Sequence, residues 1–335
     1  MKREASFWKK LENSKVRCDL CSHHCIIKED TLGFCNVRQN QGGKLISLIY
    51  GSCSSMAVDP IEKKPFFHFY PGSKVFSMGT VGCNFKCLNC QNAEISTANA
   101  SFPYLRDIQP EDSVRLAQEK GCKGIAYTYN EPTIWYEFTL DSTKIAKEKG
   151  LYTCYVTNGY ISEEPLKEIS GFLDAMNIDV KGFTEEFYRK VCKAKLKPVL
   201  DTCVIAKDLG IHIELTYLVI PGYNDSLDEI RKFCGWVLEN LGEDVPVHFS
   251  RFHSDHNMID VQSTPVSTMK KIYEVAISSE LNFVYLGNVS LDDYENTYCP
   301  NCKSLVVKRN YYDVNLEGLD KNKCKKCGSA LPIIF

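Results

Sequence analysis

Three cysteines, Cys83, Cys87 and Cys90, form a C-x3-C-x2-C triplet directly after a short apolar run. Three thiolates are one ligand short of closing a four-iron cluster, so one iron would keep an open position. A metal with an open position can bind a small molecule and act on it, whereas a fully ligated cluster only transfers electrons. A zinc site built on the triplet is disfavoured because the loop offers no obvious fourth ligand. Among 17 cysteines, the triplet therefore constrains fold and function most.

Length and charge exclude several classes of protein. A chain of 335 residues fits one large α/β domain with small appendages better than one compact core. A net charge of −2 predicts no general attraction to nucleic acid or anionic lipid. The N-terminus lacks the apolar core of a signal peptide, and no apolar stretch approaches the roughly 20 residues of a membrane span. We expect a cytoplasmic protein.

The cysteine pattern indicates metal thiolates rather than disulfides. The total is odd, and eleven cysteines fall into three clusters, as expected for a reducing compartment. The remaining six are scattered, and most are expected to be buried, because a free cysteine behaves as a small apolar residue. These six are Cys53, Cys122, Cys154, Cys192, Cys203 and Cys234.

Between the outer cysteine clusters, apolar runs alternate with helical patterns. The runs predict strands at 75–78, 124–129, 152–157, 175–180, 211–220, 247–252 and 282–286. Helices are predicted from Pro110 to Gly121 and over 133–149, with further starts near Ser162, Asn224-Asp225-Ser226 and Ser263-Thr264-Pro265. Such alternation favours a parallel sheet, here an open or partial (β/α)6-type TIM barrel. The predicted divisions are an N-terminal cysteine-rich module (1–50), a connector (51–74), the barrel (75–290) and a C-terminal cysteine module (296–335).

Polar clusters follow most of the predicted strands. In β/α barrels the carboxyl ends of the strands form the active-site face, so we expect these clusters to share one rim. They are Gly82-Cys83, Asn130-Glu131-Pro132, Thr157-Asn158-Gly159, Asp179-Val180-Lys181, Pro221-Gly222-Tyr223 and His253.

The triplet and four further segments resemble one family across almost the whole chain. The segments are DPIEKKP at 59–65, HFYPG at 68–72, YTYNEPT at 127–133 and SRFH at 250–253. The chain resembles the radical S-adenosylmethionine (SAM) superfamily, in its pyruvate formate-lyase activating-enzyme branch, and within that the radical SAM component of the AmmeMemoRadiSam system. The resemblance implies that Cys83, Cys87 and Cys90 hold a [4Fe–4S] cluster that binds SAM. It also implies reductive cleavage of SAM to methionine and a 5′-deoxyadenosyl radical, which removes a hydrogen atom from an unidentified substrate.

The resemblance also implies which residues bind SAM. Glu131, beside Asn130, is expected to accept the SAM amino group, and Lys181 to neutralise its carboxylate. Thr157, Asn158, Asp179 and His253 are expected near the ribose and methionine parts, and Gly79 and Gly82 are expected to let the backbone approach cluster and ligand closely. The alternatives are a helix N-terminal acid for Glu131, a solvent-facing pair for Asp179 and Lys181, and a core or surface role for His253, which competes with His248 and His256.

Two positions depart from the family pattern. The family usually has an aromatic residue on adenine where this chain has Asn89, and Thr216 replaces an arginine found in related activating enzymes. Adenine contacts and a SAM-carboxylate contact from that strand are therefore open, and Lys181 would carry more of the second role.

The outer cysteine clusters have metal-ligand spacing. Cys299, Cys302, Cys324 and Cys327 form C-x2-C-x21-C-x2-C, which resembles a zinc ribbon or rubredoxin-like site and favours zinc over iron. Cys18, Cys21, Cys25 and Cys35 form C-x2-C-x3-C-x9-C, which suits zinc or a second iron–sulfur cluster, with His23 and His24 as possible substitute ligands. For this cluster the spacing leaves both metals open, and we favour zinc.

Several functions remain open. The expected partners are an electron donor such as ferredoxin or flavodoxin and, by the resemblance, a Memo-like protein of the AmmeMemoRadiSam system. The alternatives are a glycyl-radical activating enzyme, a non-catalytic metal-binding module and, less favoured, an RNA-binding basic patch. That patch comprises Lys303, Lys308, Arg309, Lys321, Lys323, Lys325 and Lys326.

Four aromatic residues are expected in the core rather than in a pocket: Tyr129, Trp135, Tyr136 and Tyr155. A relay role for Cys192 is disfavoured, because nothing near it in sequence marks an activated thiol.

Overall fold

A parallel sheet organises the molecule, whose computed structural model describes residues 1–289 and 292–335. In these residues the largest sheet has eight strands, which lie side by side in chain order. Strand β1 pairs antiparallel with β2, and β2 to β8 are parallel. The strands are β1 (Ser55–Pro60), β2 (Lys74–Gly79), β3 (Gly124–Tyr127), β4 (Tyr152–Thr157), β5 (Ala175–Asp179), β6 (His212–Val219), β7 (Val247–Arg251) and β8 (Val284–Gly287).

One longer helix lies in each of the six connections between parallel strands. They are α1 (Pro110–Glu119), α2 (Tyr136–Glu148), α3 (Glu163–Ser170), α4 (Leu196–Asp208), α5 (Leu227–Leu241) and α6 (Val266–Ser278). Shorter helical turns are Ile61–Lys63, Ala93–Ser96, Pro132–Trp135, Glu185–Phe187, Tyr188–Cys192, His256–Met258 and Asp292–Tyr294. Within the described residues β8 does not pair with β1, so the (β/α)6 barrel is open, as predicted. No helix among them is both long and apolar enough to cross a membrane.

The sequence patterns explain where these elements begin and end. In the sheet interior Ile125 pairs with Phe76 on one side and Thr153 on the other, and all three side chains are buried. Helix α1 starts at Pro110, where a missing N–H costs nothing, and Gly121 follows its end with a φ of +66°.

Three predicted helix starts coincide with observed N-caps. Ser162 and Ser226 occupy the N-cap positions of α3 and α5, but neither side chain makes the capping hydrogen bond. The N-cap of α6 is Pro265. The predicted connector 51–74 includes β1, which pairs with β2. Residue 290, the predicted end of the barrel, lies outside the described residues.

The N-terminal region packs into the barrel core. Val16, Leu20 and Val37 belong to the same apolar cluster as the barrel strands. In this region the buried guanidinium of Arg38 donates to both carboxylate oxygens of Glu137 on α2, at 2.6 and 2.8 Å. The small strands of this region are Arg3–Glu4, Trp8–Lys10, Val16–Cys18, Ile26–Ile27, Arg38–Gln41 and Lys44–Ser47, followed by Ser52–Cys53, which pairs with Arg106–Asp107.

The C-terminal module forms a separate small core. Its apolar side chains pack with Phe67, Phe283 and Tyr285. Arg309, predicted in an exposed basic patch, is instead buried: it donates to the main-chain oxygen of Phe67 at 2.7 Å and to Thr297 Oγ1 at 2.8 Å. The six lysines of that patch are exposed. The module's strands are Thr297–Tyr298, Leu305–Asn310, Asp313–Asn315, Leu319–Asp320 and Lys323–Cys324.

The four C-terminal thiols converge on one point. The sulfurs of Cys299, Cys302, Cys324 and Cys327 all lie within 4.8 Å of one another. The Cys299–Cys327 and Cys302–Cys324 sulfur distances are 3.6 and 3.7 Å. Tetrahedral zinc with Zn–S bonds of about 2.3 Å needs sulfurs about 3.8 Å apart, so this group suits a single closed metal ion.

The Arg38–Glu137 pair predicts a stability effect. Replacing Glu137 with Ala leaves a buried guanidinium without its counter-charge, so the free energy of unfolding should fall by about 3–5 kcal/mol in urea titration. The control is Asp201→Ala, which removes the exposed partner of Lys197 and should cost at most about 1 kcal/mol. Equal losses in the two variants would contradict a structural role for the buried pair.

The C-terminal thiols predict a metal-dependent module. Cys302→Ala should lose one zinc ion per chain by elemental analysis and expose residues 296–335 to limited proteolysis, because a segment of this size has little core of its own. The control is Cys122→Ala, a buried cysteine outside the metal group. Unchanged metal content and protease resistance in Cys302→Ala would show that no metal holds the module together.

Candidate functional site

A cavity of about 480 Å³ opens at the carboxyl ends of the parallel strands. That volume lies in the usual range for small-molecule sites. Four of the predicted strand-end clusters contribute to its wall, since parallel strands bring their carboxyl ends to one edge. The lining residues predicted to bind cofactor or metal are Cys83, Cys87, Cys90, Asn130, Glu131, Thr157, Asn158, Asp179 and Lys181.

The triplet loop follows β2 and carries its three thiols on the cavity wall. All three cysteines are half-buried. The loop is held against the turn Tyr188–Cys192: the main-chain N–H groups of Lys86 and Leu88 donate to the main-chain oxygens of Cys192 and Val191 at 3.0 and 3.1 Å. The thiols are therefore positioned by main-chain contacts that do not depend on a ligand.

The glycines before the triplet allow close approach between chain segments. At Gly82, with φ of +85°, a Cβ atom would lie 2.6 Å from the main-chain oxygen of Cys35. At Gly79 it would lie 2.8 Å from that of Thr128. The close approach that requires glycine is thus between chain segments, and Gly82 lets the N-terminal module contact the triplet loop.

Glu131 is the central acid of the site. Its buried carboxylate accepts hydrogen bonds from Thr133 N at 3.0 Å, Thr157 Oγ1 at 2.7 Å and Asn158 N at 2.8 Å. Burial raises the pKa of Glu131, and the hydrogen bonds oppose that rise. Glu131 is also the N-cap of the turn Pro132–Trp135, so the capping alternative and the cavity position both hold. A carboxylate has about four acceptor sites, which leaves capacity for one further donor.

Two asparagines connect Glu131 to the triplet loop. Asn130 accepts from Thr80 N at 3.1 Å and donates to the Gly82 oxygen at 2.8 Å. Asn158 donates to Asn84 Oδ1, between the first two triplet cysteines, at 2.7 Å. Both carboxamides therefore hold the loop as well as line the cavity.

Asp179 and Lys181 form an ion pair on the opposite part of the wall. Lys181 Nζ lies 2.8 Å from Asp179 Oδ2. Burial opposes the charged form of Lys181, but electrostatic interactions with Asp179 and Cys87 outweigh burial and raise the pKa of Lys181. Lys181 thus stays cationic beside the triplet, although its charge is already paired with Asp179.

Two predicted clusters do not reach the cavity. His253 is exposed and lies with its Nε2 3.0 Å from Gln91 Nε2, so it contacts a cavity residue without lining the wall. Pro221-Gly222-Tyr223 turns away after β6, where Gly222 N donates to Asp225. Thr216 and Leu218 of β6 and Ser250 of β7 line the cavity instead.

The sequence analysis missed a lysine in the cavity wall that follows β1 and pairs with an acid on that strand. Lys64 lies in the wall with its ammonium 2.9 Å from Asp59 Oδ2 and 4.6 Å from the ring centroid of Tyr129, another lining residue. Burial alone would raise the pKa of Asp59, but hydrogen bonds from Lys63 and Lys64 lower it. The segment 59–65 was noted only for its resemblance, and its paired lysines after an acid in an apolar stretch were the available signal.

Tyr129 lines the cavity and is half-buried, whereas the other three aromatic residues expected in the core, Trp135, Tyr136 and Tyr155, are buried.

The six scattered cysteines are all buried, as expected. Cys192 lies beside the site: its contact with Cys87 is the main cause that raises the pKa of the Cys87 thiol, followed by burial. The sequence contained no signal for that contact, which depends on the turn after β5.

The chain fits a [4Fe–4S] cluster with SAM at this site. Three thiols line one cavity, and in the described residues they are not among the ligand groups gathered within 4.8 Å, so they do not close around a single ion. Cysteines of a four-iron cluster bind different irons and lie farther apart. Asn89 adds a buried carboxamide oxygen on the cavity wall for which the described residues supply no donor.

The four N-terminal thiols line a second, small cavity that lies next to the triplet loop. Its wall also contains His23 and Asn84. The structure thus brings together Cys18, Cys21, Cys25 and Cys35, the predicted metal ligands of this region.

Comparisons with known proteins agree with this architecture. Residues 78–234 match the radical SAM superfamily. The uncharacterized protein MJ0808 of Methanocaldococcus jannaschii is 48% identical over 99% of this chain and 100% of its own length. A putative glycyl-radical enzyme activating enzyme of the same organism, MJ1632, is 28% identical over 63% of this chain and 78% of its own length. The pyruvate formate-lyase 1-activating enzyme of Escherichia coli K12 is 21% identical over 51% of this chain and 71% of its own.

A solved structure shares the fold. SuiB of Streptococcus suis bound to S-adenosylmethionine superposes with a TM-score of 0.51 at 11% identity, covering 70% of this chain and 53% of SuiB. Residues 78–234, which carry the triplet on the wall of the open β/α barrel, thus form a radical SAM domain, and the chain is similar in sequence to activating enzymes of glycyl-radical enzymes.

Proposed function

We propose that this chain is a radical SAM enzyme of the AmmeMemoRadiSam type. The observation that carries the proposal is the convergence of three thiols and the Glu131 carboxylate on one cavity. The chemistry that a [4Fe–4S] cluster with SAM supplies when bound is reductive cleavage to methionine and a 5′-deoxyadenosyl radical, which removes a hydrogen atom from the substrate. Its abundant free thiols suit the cytoplasm, a reducing compartment.

The chain's own residues would bind and orient SAM. Glu131 has one acceptor site left for the amino group, in a buried setting where a charge-assisted hydrogen bond is strong. Lys181 is placed to attract the carboxylate, in competition with Asp179. Thr157, Asn158 and Asp179 offer polar contacts to the ribose, and Asn89 Oδ1 offers adenine an acceptor in place of an aromatic face. The exposed His253 acts in this proposal from the cavity rim, beside Gln91.

We propose the partners as classes of protein and leave the substrate unidentified. The AmmeMemoRadiSam assignment rests on the four sequence segments that accompany the triplet, and it implies a Memo-like partner protein. A low-potential donor such as ferredoxin or flavodoxin would supply the electron. A second candidate is activation of a glycyl-radical enzyme, because MJ1632, 28% identical to this chain, is named as a putative activating enzyme of that kind.

Removing a triplet cysteine tests the reaction. The anaerobically reconstituted wild type, reduced with dithionite in the presence of SAM, should form 5′-deoxyadenosine and methionine, measured by liquid chromatography with mass spectrometry. Removing an outer-shell partner of a metal site typically lowers activity roughly 10- to 100-fold. Cys83→Ala should lower the yield of 5′-deoxyadenosine by more than that, because it removes a cluster ligand. The control is Cys203→Ala, a buried cysteine in α4.

A wild type that forms no 5′-deoxyadenosine, although loaded with cluster, would favour a non-catalytic metal-binding module. Electron paramagnetic resonance on a co-incubated partner distinguishes the two enzymatic candidates. A glycyl radical in the partner would favour the activating-enzyme function over the AmmeMemoRadiSam assignment. Retention of RNA by the six exposed lysines that weakens with added salt would instead support the nucleic-acid-binding hypothesis.

Glu131→Gln tests recognition of the SAM amino group. The variant should weaken SAM binding about 10- to 100-fold by isothermal titration calorimetry, the equivalent of losing one hydrogen bond to a charged group. Because burial raises the pKa of Glu131, wild-type affinity should also fall as pH decreases and the carboxylate becomes protonated, a dependence that the variant should lack.

The matched control is Glu62→Gln. Glu62 is also buried and accepts from a main-chain N–H, that of Gly72, but it does not line the cavity. It should leave SAM affinity unchanged. Wild-type affinity in a folded Glu131→Gln protein would remove Glu131 from the SAM site.

A further inference from the structure

The four N-terminal thiols surround one small cavity with wide spacing between their sulfurs. Cys18, Cys21, Cys25 and Cys35 all line this cavity. Within the described residues, no three of these sulfurs lie within 4.8 Å of one another.

The C-terminal thiols provide an internal comparison. There the sulfurs lie as close as 3.6 and 3.7 Å, near the spacing of about 3.8 Å that a tetrahedral zinc ion imposes. Sulfurs at that spacing leave no room for a water-sized sphere between them. In a [4Fe–4S] cluster each cysteine binds a different iron, so the cube separates the ligand sulfurs. The N-terminal thiols have the wider arrangement.

One of the two nearby histidines, His23, lines the cavity beside the four thiols. His23 Nε2 lies 2.6 Å from the main-chain oxygen of Asn84, to which it donates. His24 Nδ1 lies 3.0 Å from Asp19 Oδ1 on an exposed face, and His24 does not line the cavity. The four thiols are the usual ligand set of a [4Fe–4S] cluster. The Nδ1 of His23 is the one histidine nitrogen in the described cavity wall that could replace a thiol.

The surroundings of the cavity suit a negatively charged iron–sulfur centre. Asn84 is 1% exposed and lines the cavity, and its Nδ2 donor has no partner among the described residues. Hydrogen bonds to cluster sulfurs are a normal feature of such centres. The buried guanidinium of Arg38 interacts electrostatically with Cys18 and Cys35 and has two further nitrogens, Nε and Nη1, that the described residues leave without acceptors.

From this geometry we infer that Cys18, Cys21, Cys25 and Cys35 hold a second [4Fe–4S] cluster and not zinc. The site adjoins the first one: Asn84 directly follows Cys83, and the main-chain oxygen of Cys35 packs against Gly82. The second cluster is a one-electron redox centre. It accepts one electron from dithionite in the test below, with no bond made or broken.

The test removes the other possible iron site. Full-length Cys83→Ala/Cys87→Ala/Cys90→Ala protein is reconstituted anaerobically with iron and sulfide in the presence of zinc. It should retain about four iron and four sulfide per chain, with zinc confined to the C-terminal module. After reduction with dithionite it should show the electron paramagnetic resonance signal of a reduced cluster. Adding Cys21→Ala and Cys25→Ala should abolish iron and signal and leave zinc unchanged, whereas adding Cys203→Ala should change neither.

Two zinc ions and no iron in the triple variant would overturn the inference. If that variant fails to fold by circular dichroism, the wild type decides the question. The wild type should contain about eight iron atoms per chain, and Cys21→Ala/Cys25→Ala should contain about four. A wild type with about four iron atoms, none of which is lost in Cys21→Ala/Cys25→Ala, would contradict the second cluster. A triplet that fails to bind iron lowers the wild-type count but leaves that of the triple variant unchanged, so the two proposals fail separately.

Discussion

The site depends on the buried carboxylate of Glu131. Three hydrogen bonds join it to the turn after β3 and to the end of β4, and Asn158 extends the connection to the triplet loop after β2. A buried carboxylate is stable only when its acceptor sites are filled, so these neighbouring strand ends must meet in one arrangement. Glu131 also lines the cavity. In the proposed function, structural stability and SAM recognition thus use the same group.

A second constraint is the docking of the N-terminal region on the barrel. The Arg38–Glu137 pair holds this region on α2, and Gly82 allows the Cys35 oxygen to reach the triplet loop. Because both contacts are buried and close, the region cannot move away without exposing charge and apolar surface. The two cysteine groups therefore occupy fixed positions on either side of Asn84.

The three cysteine groups offer the same type of ligand but differ in the spacing of their sulfurs, and that spacing determines which metal centre each group can hold. The C-terminal sulfurs lie close enough for one tetrahedral ion, whereas the triplet and the N-terminal group are spread around open space. Among them, only the triplet opens onto a cavity large enough for a small molecule. In the proposed function, substrate chemistry belongs to the triplet, and the C-terminal module, which packs on Phe67 and Tyr285, has a structural role.

The sequence by itself determined the order of strands and helices, the open barrel and four of the six strand-end clusters at the cavity. These follow from local periodicity and from the rule that parallel strands bring their carboxyl ends to one edge. Only the tertiary structure decided the rest. Lys64 follows an antiparallel edge strand that the alternation did not predict, and its ammonium pairs with Asp59 on that strand. His253 and Pro221-Gly222-Tyr223 do not line the cavity, although they follow parallel strands. Cysteine spacing along the chain does not define the distances between sulfurs, because those depend on how separate turns pack in space.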